Sequence, residues 1–201
     1  LKITFDDAEW SPFAQGLSGD FHFEFGDRDG VVIETIGKGL ALSPAKDSVY
    51  TFANAISGTG ALVKRGLGTL KMKSTAWGYT GETKVQQGTL DLDAGTVPGL
   101  RLSGEGTVCN GTLVSPVLMA NGTQLLTIAD VAFAGRTVVA FVEQHAVGDT
   151  VAVCRLTGAT PDFSSWRTMN GEERGYAAFT VKDGVLYATV QDKPGLMLLV
   201  R

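Results

Sequence analysis

The stretch from Ser57 to Leu92 decides the fold, and it reads S-G-T-G-A-L-V-K-R-G-L-G-T-L-K-M-K-S-T-A-W-G-Y-T-G-E-T-K-V-Q-Q-G-T-L-D-L. The triplet Gly-Thr-Leu occurs at 68–70 and 88–90 and returns at 111–113, at separations of 20 and 23 residues. Behind each glycine, apolar and polar residues alternate as in a half-buried strand. A single short coil cannot cover its own apolar face, whereas stacked coils can. The pattern therefore predicts a stack of coils in which Leu70, Leu90 and Leu113 line a common interior.

The same stretch resembles the autotransporter-associated β-strand repeat of bacterial surface passenger proteins. The matching positions are Gly58, Gly60, Leu62, Lys64, Gly66, Gly68, Thr69, Leu70 and Met72, followed by Tyr79, Thr80, Gly81, Thr83, Val85, Gly88, Thr89 and Leu90. The resemblance covers about a sixth of the chain directly, with a weaker echo from Gly104 to Ile128. It implies a right-handed parallel β-helix in an exported bacterial protein. Members of the family act as extended stalks or surface modules, and they share no catalytic residues.

The composition favours one all-β domain. The chain has 201 residues, with 26 glycines and 6 prolines, which suits many tight turns better than flexible linkers. We predict a single domain, 1–201, built as a parallel β-helix (solenoid) with an irregular C-terminal cap. Its parts are N-terminal strands or coils at 1–56, repeat-bearing coils at 57–128, variant strands at 129–157 and the cap at 158–201. A β-sandwich is the alternative fold.

Charge and hydropathy exclude several classes of partner. The net charge is −4, and no cluster of Lys and Arg forms a nucleic-acid footprint. No apolar run approaches the roughly 20 residues of a membrane helix, so no membrane insertion by this segment is expected. Leu1 does not begin a signal peptide, and we expect any export signal or anchor to lie outside these residues.

Several local signals predict elements outside the repeat. The alternation in Phe21–Phe25 predicts a half-buried strand, followed by a turn at Gly26–Gly30. Lys182-Asp183-Gly184 is the best hairpin signal, and Asp162 is a candidate N-cap for a short helix over 162–169. The apolar run Gly195–Arg201 predicts a final strand.

One residue conflicts with the strand pattern. Leu62 and Lys64 share strand parity, so a straight strand would place an ammonium group on the same side as the leucine. We expect the backbone to bend there, or the strand to end at Val63.

Metal and thiol chemistry have little support. The two histidines, His22 and His145, lie far apart without a neighbouring ligand, so we predict no metal site and no cofactor. Cys109 and Cys154 lack metal-site spacing. Two separate buried thiols are favoured over a disulfide, which would require their coils to lie side by side.

The candidate functional residues are two acids and two aromatics. Asp91 and Asp93 are expected to point outward from one strand, about 7 Å apart, as some β-helical enzymes that cleave polysaccharides arrange their carboxylates. Solvated acids that keep the coil soluble are the stronger interpretation. Trp77 and Tyr79 fall in the spacer 74–81, where the family commonly has a loop, and are candidate ligand-binding residues because exposed aromatic faces suit sugar rings. Tyr79 also matches the repeat, which favours local packing, and for Trp77 core or lid packing is favoured over ligand contact.

These observations predict a non-catalytic structural or adhesive module of an exported, passenger-like bacterial protein, at the cell surface or extracellular. The alternative is a carbohydrate-binding module of a larger secreted, polysaccharide-active protein. The expected partners are surface glycans or further repeats of the same polypeptide.

Overall fold

The computed structural model describes residues 2–5, 32–35, 40–52, 55–73, 76–171 and 173–192. For 2–5, 32–35, 40 and 55 it describes the backbone alone. The strand predicted at Phe21–Phe25, the turn at Gly26–Gly30, His22 and the final strand at Gly195–Arg201 lie outside these residues.

The described chain is almost entirely β-structure, with nineteen strands and a 3₁₀ turn at Phe163–Ser165. The strands are β1 (Lys2–Phe5), β2 (Val32–Thr35), β3 (Leu40–Leu42), β4 (Val49–Phe52), β5 (Ala55–Gly58), β6 (Leu62–Lys64), β7 (Thr69–Met72), β8 (Trp77–Tyr79), β9 (Glu82–Val85), β10 (Thr89–Pro98), β11 (Arg101–Gly104), β12 (Thr107–Val114), β13 (Val117–Ala120), β14 (Leu126–Ala134), β15 (Val138–Phe141), β16 (Thr150–Thr157), β17 (Arg167–Asn170), β18 (Glu173–Lys182) and β19 (Val185–Gln191).

These strands form a parallel β-solenoid. Three parallel stacks run along it: β1-β2-β5-β8, then β3-β6-β9-β11-β13-β15-β17, and β4-β7-β10-β12-β14-β16. Neighbours in each stack are separated in sequence by one turn of the chain, as stacked coils require. The solenoid prediction is confirmed, and the β-sandwich alternative is wrong because these ladders are parallel.

The interior is built from apolar columns in register. Leu70 of β7 pairs with Leu90 of β10, which pairs with Val108 of β12 and then with Ile128 of β14. All four side chains are buried. Each column joins the next across the hydrophobic core, so every coil covers the apolar face of its neighbour.

The third Gly-Thr-Leu triplet does not occupy the predicted position. Leu113 is buried in the core, but it pairs with Val97 and Phe133 in a different column from Leu70 and Leu90. Gly106-Thr107-Val108 takes the expected place instead, since Thr107 pairs with Thr89.

The reason is a corner within the long strands β10, β12 and β14. Residues with positive φ bend each of them into two halves: Asp93 (53°) and Ala94 (55°), Asn110 (58°), and Asp130 (51°). Asp and Asn tolerate this left-handed conformation better than most residues. Gly111-Thr112-Leu113 therefore begins the half that follows the corner, whereas the two earlier triplets precede it.

An antiparallel hairpin closes the C-terminal end. β18 and β19 are joined by Asp183-Gly184, both with positive φ (51° and 74°), which confirms the predicted turn. β18 pairs with β17 and β19 pairs with β16, so the hairpin covers the last strand of two parallel stacks. Covering such edges removes a template for aggregation.

The helix predicted after Pro161 is much shorter than expected. Asp162 caps it, with Oδ1 accepting from the Ser164 N–H at 2.9 Å, but only Phe163–Ser165 adopt a 3₁₀ turn. The chain then enters β17, because pairing with β15 continues the parallel stack.

Candidate functional site

Lys64 is the most unusual side chain of the repeat, and the expectation for it was wrong. β6 includes Lys64 as its last residue, on the same buried side as Leu62, and the Lys64 side chain is 0% exposed. Its Nζ donates to three backbone carbonyl oxygens, those of Arg65 (2.8 Å), Gly66 (2.8 Å) and Gln87 (2.9 Å). The ammonium group thus uses its three N–H donors on carbonyls from two successive coils. Lys64 joins adjacent coils at a corner and is not a solvated surface charge.

Burial of Lys64 predicts a dependence of stability on pH. Desolvation lowers the pKa of Lys64 from 10.5 to about 8 in the folded protein. Between pH 8 and 10.5 the unfolded chain therefore holds a proton on Lys64 that the folded chain has released, so the free energy of unfolding increases with pH in this window. Below pH 8 both states hold the proton, and the contribution of Lys64 does not change with pH. The free energy of unfolding of the wild type, relative to Lys64→Met, should rise by up to about 3 kcal/mol across the window. Urea denaturation at a series of pH values measures it, and a constant difference from pH 7 to 10.5 would contradict the assignment.

The acids Asp91 and Asp93 form a cluster with Lys71 on the outside of the coil. Lys71 Nζ lies 3.1 Å from Asp93 Oδ1 and 3.8 Å from Asp91 Oδ2. Asp91 Oδ1 also accepts from the backbone N–H of Asp93 (2.8 Å) and from Asn110 Nδ2 (3.0 Å). Hydrogen bonding to Asp93, followed by the charges of both acids, raises the pKa of the Lys71 amine.

This cluster holds the corner of the coil. Asp91 spans the bend, because its carboxylate binds the N–H of Asp93 on its own strand and the Asn110 amide on the next strand. Lys71 neutralises both carboxylates from the preceding strand. The Asp91 carboxylate accepts two hydrogen bonds and the Asp93 carboxylate pairs with Lys71, so both acids have contacts that hold the corner. Among the described residues, no group of three or more His, Cys, Asp or Glu side chains is placed to hold a metal ion.

Trp77 and Tyr79 lie in a strand, β8, and not in the loop that the spacer suggested. Tyr79 is 8% exposed, and its hydroxyl is 2.5 Å from Thr83 Oγ1. Burial raises the pKa of the Tyr79 phenol. Trp77 is half-buried, packs against the core and stacks on Tyr79 with ring centroids 6.3 Å apart. The placement favours packing for Tyr79 and leaves part of the Trp77 surface accessible.

Sugar binding by Trp77 stays a prediction that a glycan array can test. If Trp77 serves packing only, the wild-type protein gives no selective signal, and Trp77→Ala lowers stability by about 2 kcal/mol because a half-buried indole is removed. Selective glycan binding that Trp77→Ala abolishes while the variant remains folded would instead establish a lectin-like site. Tyr187→Ala, at another half-buried aromatic, is the control.

Both cysteines are free, as predicted, but only Cys154 is buried, whereas Cys109 is half-buried. Cys109 lies on β12 and Cys154 on β16, with β14 between them. Two strand spacings amount to about 9.6 Å, beyond the Cα separation that a disulfide allows. Burial raises the pKa of the Cys154 thiol to about 12, which leaves it unreactive.

Comparison with known proteins links the chain to an autotransporter. It is similar to the Neisserial autotransporter lipoprotein NalP of Neisseria meningitidis serogroup B, in strains MC58 and H44/76, with 30% identity over 125 residues. The match covers 62% of this chain and 10% of the relative, so the chain corresponds to about a tenth of the length of those proteins. No family model matches the chain, and no solved structure matches it. In the described ranges, no helix has the length and apolar character needed to span a bilayer.

Proposed function

We propose that this chain is a non-catalytic structural module of an exported, passenger-like protein at a bacterial cell surface, with an outer wall suited to adhesion. The observation that carries the proposal is the solenoid itself, in a chain similar to an autotransporter over 125 residues. A stack of coils extends in one direction without needing a second core, which suits a stalk that carries other segments away from a membrane. Its partners would be surface glycans or further repeats of the same polypeptide.

The side chains of the outer wall support a structural role. Asp91, Asp93, Lys71 and Asn110 satisfy one another at a corner. Lys64 joins two coils through their backbone. These polar side chains bond to groups of adjacent coils and so hold the coils in register.

Surface labelling tests the proposed location. Antibodies raised against this chain are applied to intact cells of the bacterium that produces it, with a cytoplasmic enzyme as the control antigen. We expect labelling of intact cells, and its loss when those cells are treated with proteinase K. Labelling that appears only after permeabilisation would overturn the proposal.

A polysaccharide panel tests the absence of catalysis. We expect no reducing ends to be released by the wild type above the level given by the double variant Asp91→Asn, Asp93→Asn. Release by the wild type that disappears in the double variant, with the fold retained by circular dichroism, would assign these acids to a polysaccharide-cleaving enzyme.

A further inference from the structure

One strand of the solenoid has an edge that the cap does not pair. The second half of β14, Val131–Ala134, pairs with Gly111–Val114 of β12 on one side. On its other side, β16 pairs with β14 only as far as Ala129 and Thr157. Gly158, whose φ is +104°, lies against the corner residue Asp130, and the chain leaves the ladder after this corner. In the described chain no backbone hydrogen bond joins 158–166 to this half of β14.

The direction of the unpaired backbone groups follows from the ladder. Ser115 N donates to Ala134 O at 2.8 Å, so the polar backbone groups of Ala134 face β12. In a parallel ladder these groups alternate along the strand, so those of Ala132 also face β12. The N–H and C=O of Val131 and Phe133 therefore point away from β12. The two N–H groups and two C=O groups of Val131 and Phe133 are therefore spaced as an added β-strand would require.

These groups face a groove of about 530 Å³ between β14 and the segment that follows Gly158. Its lining includes Val131, Phe133, Pro161 and Trp166. Phe133 packs on Trp166 with ring centroids 5.1 Å apart, which fixes one wall of the groove.

The wall is supported from behind. Phe163 and Phe179 pack on Trp166 at centroid distances of 5.0 and 5.6 Å. Ser165 Oγ donates to Gly135 O at 3.1 Å, and this bond ties the far side of the groove to the end of β14. Because the aromatic cluster and this bond hold both sides, the groove is a preformed feature of the cap.

The groove carries one acidic charge. Asp162 is the ionisable side chain in its lining, and it is exposed. Ser164 donates to it from its backbone N–H (2.9 Å) and from Oγ (2.8 Å), and these bonds lower the pKa of the Asp162 carboxyl. The carboxylate keeps lone pairs free for a cation, because each oxygen accepts one of these bonds.

We propose that this groove binds an extended peptide segment of a partner protein, which pairs as an added strand with the edge of β14. The peptide places an apolar side chain against Phe133 and Pro161, which the buried Trp166 supports, and a lysine or arginine beside Asp162. Strand addition draws its affinity from main-chain hydrogen bonds and its specificity from the contacts of alternate side chains. The site goes beyond the structural role proposed above and does not depend on export.

Hydrogen exchange of the ¹⁵N-labelled protein tests the edge itself. Without peptide, the amides of Val131 and Phe133 should exchange fast, whereas those of Ala132 and Ala134 should be slow because they bond to β12. Equal protection of all four amides would show that the edge is already covered, and would overturn the proposal.

A phage-displayed random heptamer library tests the occupant. We expect selected peptides to contain a basic residue and to slow exchange at Val131 and Phe133 by about tenfold or more. Ala159→Trp, which fills the groove from an exposed position, should abolish binding, whereas Ala146→Trp in another exposed loop should not. Asp162→Asn should weaken binding about threefold to tenfold, against no change for Asp183→Asn in the hairpin turn.

Three results would overturn the peptide assignment. The first is selection of peptides that leave exchange at Val131 and Phe133 unchanged. The second is protection by oligosaccharides from a glycan panel but not by peptides. The third is protection that grows with protein concentration alone, which would assign the edge to a second copy of this chain.

Discussion

Replacing Lys64 with methionine is expected to lower the free energy of unfolding at pH 7 by about 3 kcal/mol. The substitution keeps most of the buried volume but leaves the carbonyl oxygens of Arg65, Gly66 and Gln87 without their donor. Each buried acceptor that loses its partner costs about 1–3 kcal/mol, and relief of the desolvated charge offsets part of the total. Urea denaturation with a linear extrapolation measures the change.

Lys84→Met is the matched control for this variant. Lys84 lies on the neighbouring strand β9, opposite Val63, and its side chain is half-buried. Because Lys84 is not the residue that donates to the three carbonyl oxygens bound by Lys64, its replacement should change the free energy of unfolding by less than about 0.5 kcal/mol. Equal effects of the two substitutions would show that Lys64 has no special role in joining the coils.

Replacing Gly104 with alanine is expected to destabilise the protein by about 4 kcal/mol or to prevent folding. Gly104 has φ +113°, and a Cβ at this position would lie 2.0 Å from the Val85 carbonyl oxygen. That oxygen accepts from the backbone N–H groups of Glu105 and Gly106, both at 2.9 Å. The added methyl group would therefore force the turn apart and break both bonds, in addition to the strain of the backbone conformation.

Gly99→Ala separates the clash from the backbone strain. Gly99 also has a positive φ, +64°, but no heavy atom lies within 4 Å of a Cβ built there. Its replacement should cost about 1 kcal/mol, the penalty for a left-handed alanine. Thermal unfolding of both variants measures the difference, and similar melting temperatures would contradict the close approach at Val85.

The solenoid could be predicted from the sequence because its signal is local and repeated. At 68–72 and 88–92 a glycine is followed by alternating apolar and polar residues. The apolar face of such a strand must be covered, and stacking of similar coils covers it. The Asp183-Gly184 hairpin could be predicted for a related reason, since two residues that tolerate positive φ suffice for the turn.

The features that could not be predicted from the sequence depend on the register between coils. Strand parity pointed the Lys64 side chain inward, but a buried ammonium was rejected because nothing local shows that Gln87, 23 residues later, supplies a carbonyl oxygen to it. The sequence places the third Gly-Thr-Leu triplet in the wrong column because it does not show that a corner at Asn110 precedes this triplet, whereas the corner follows the second triplet. The groove beside β14 has no sequence signal, since it arises where the following chain does not form a strand.

The candidate acids show the same limit. Sequence parity indicated that Asp91 and Asp93 share a surface, and the structure brings both of them to Lys71. It could not indicate that positive φ at Asp93 turns this surface into a corner, with Asn110 of the next coil bonded to Asp91. The two acids that share a strand face in the sequence thus contact three different neighbours at a corner of the fold.

Distances between spin labels along one outward column test the solenoid most directly. Val49, Thr69, Thr89, Thr107 and Thr127 pair in succession along five stacked strands. With Cys109 and Cys154 replaced by serine and alanine, labels at Val49 are paired in turn with labels at each later position. The backbone separation should grow by about 4.8 Å per coil, to about 19 Å between Val49 and Thr127. Separations that fail to rise steadily along this series would contradict the stacked coils on which the account depends.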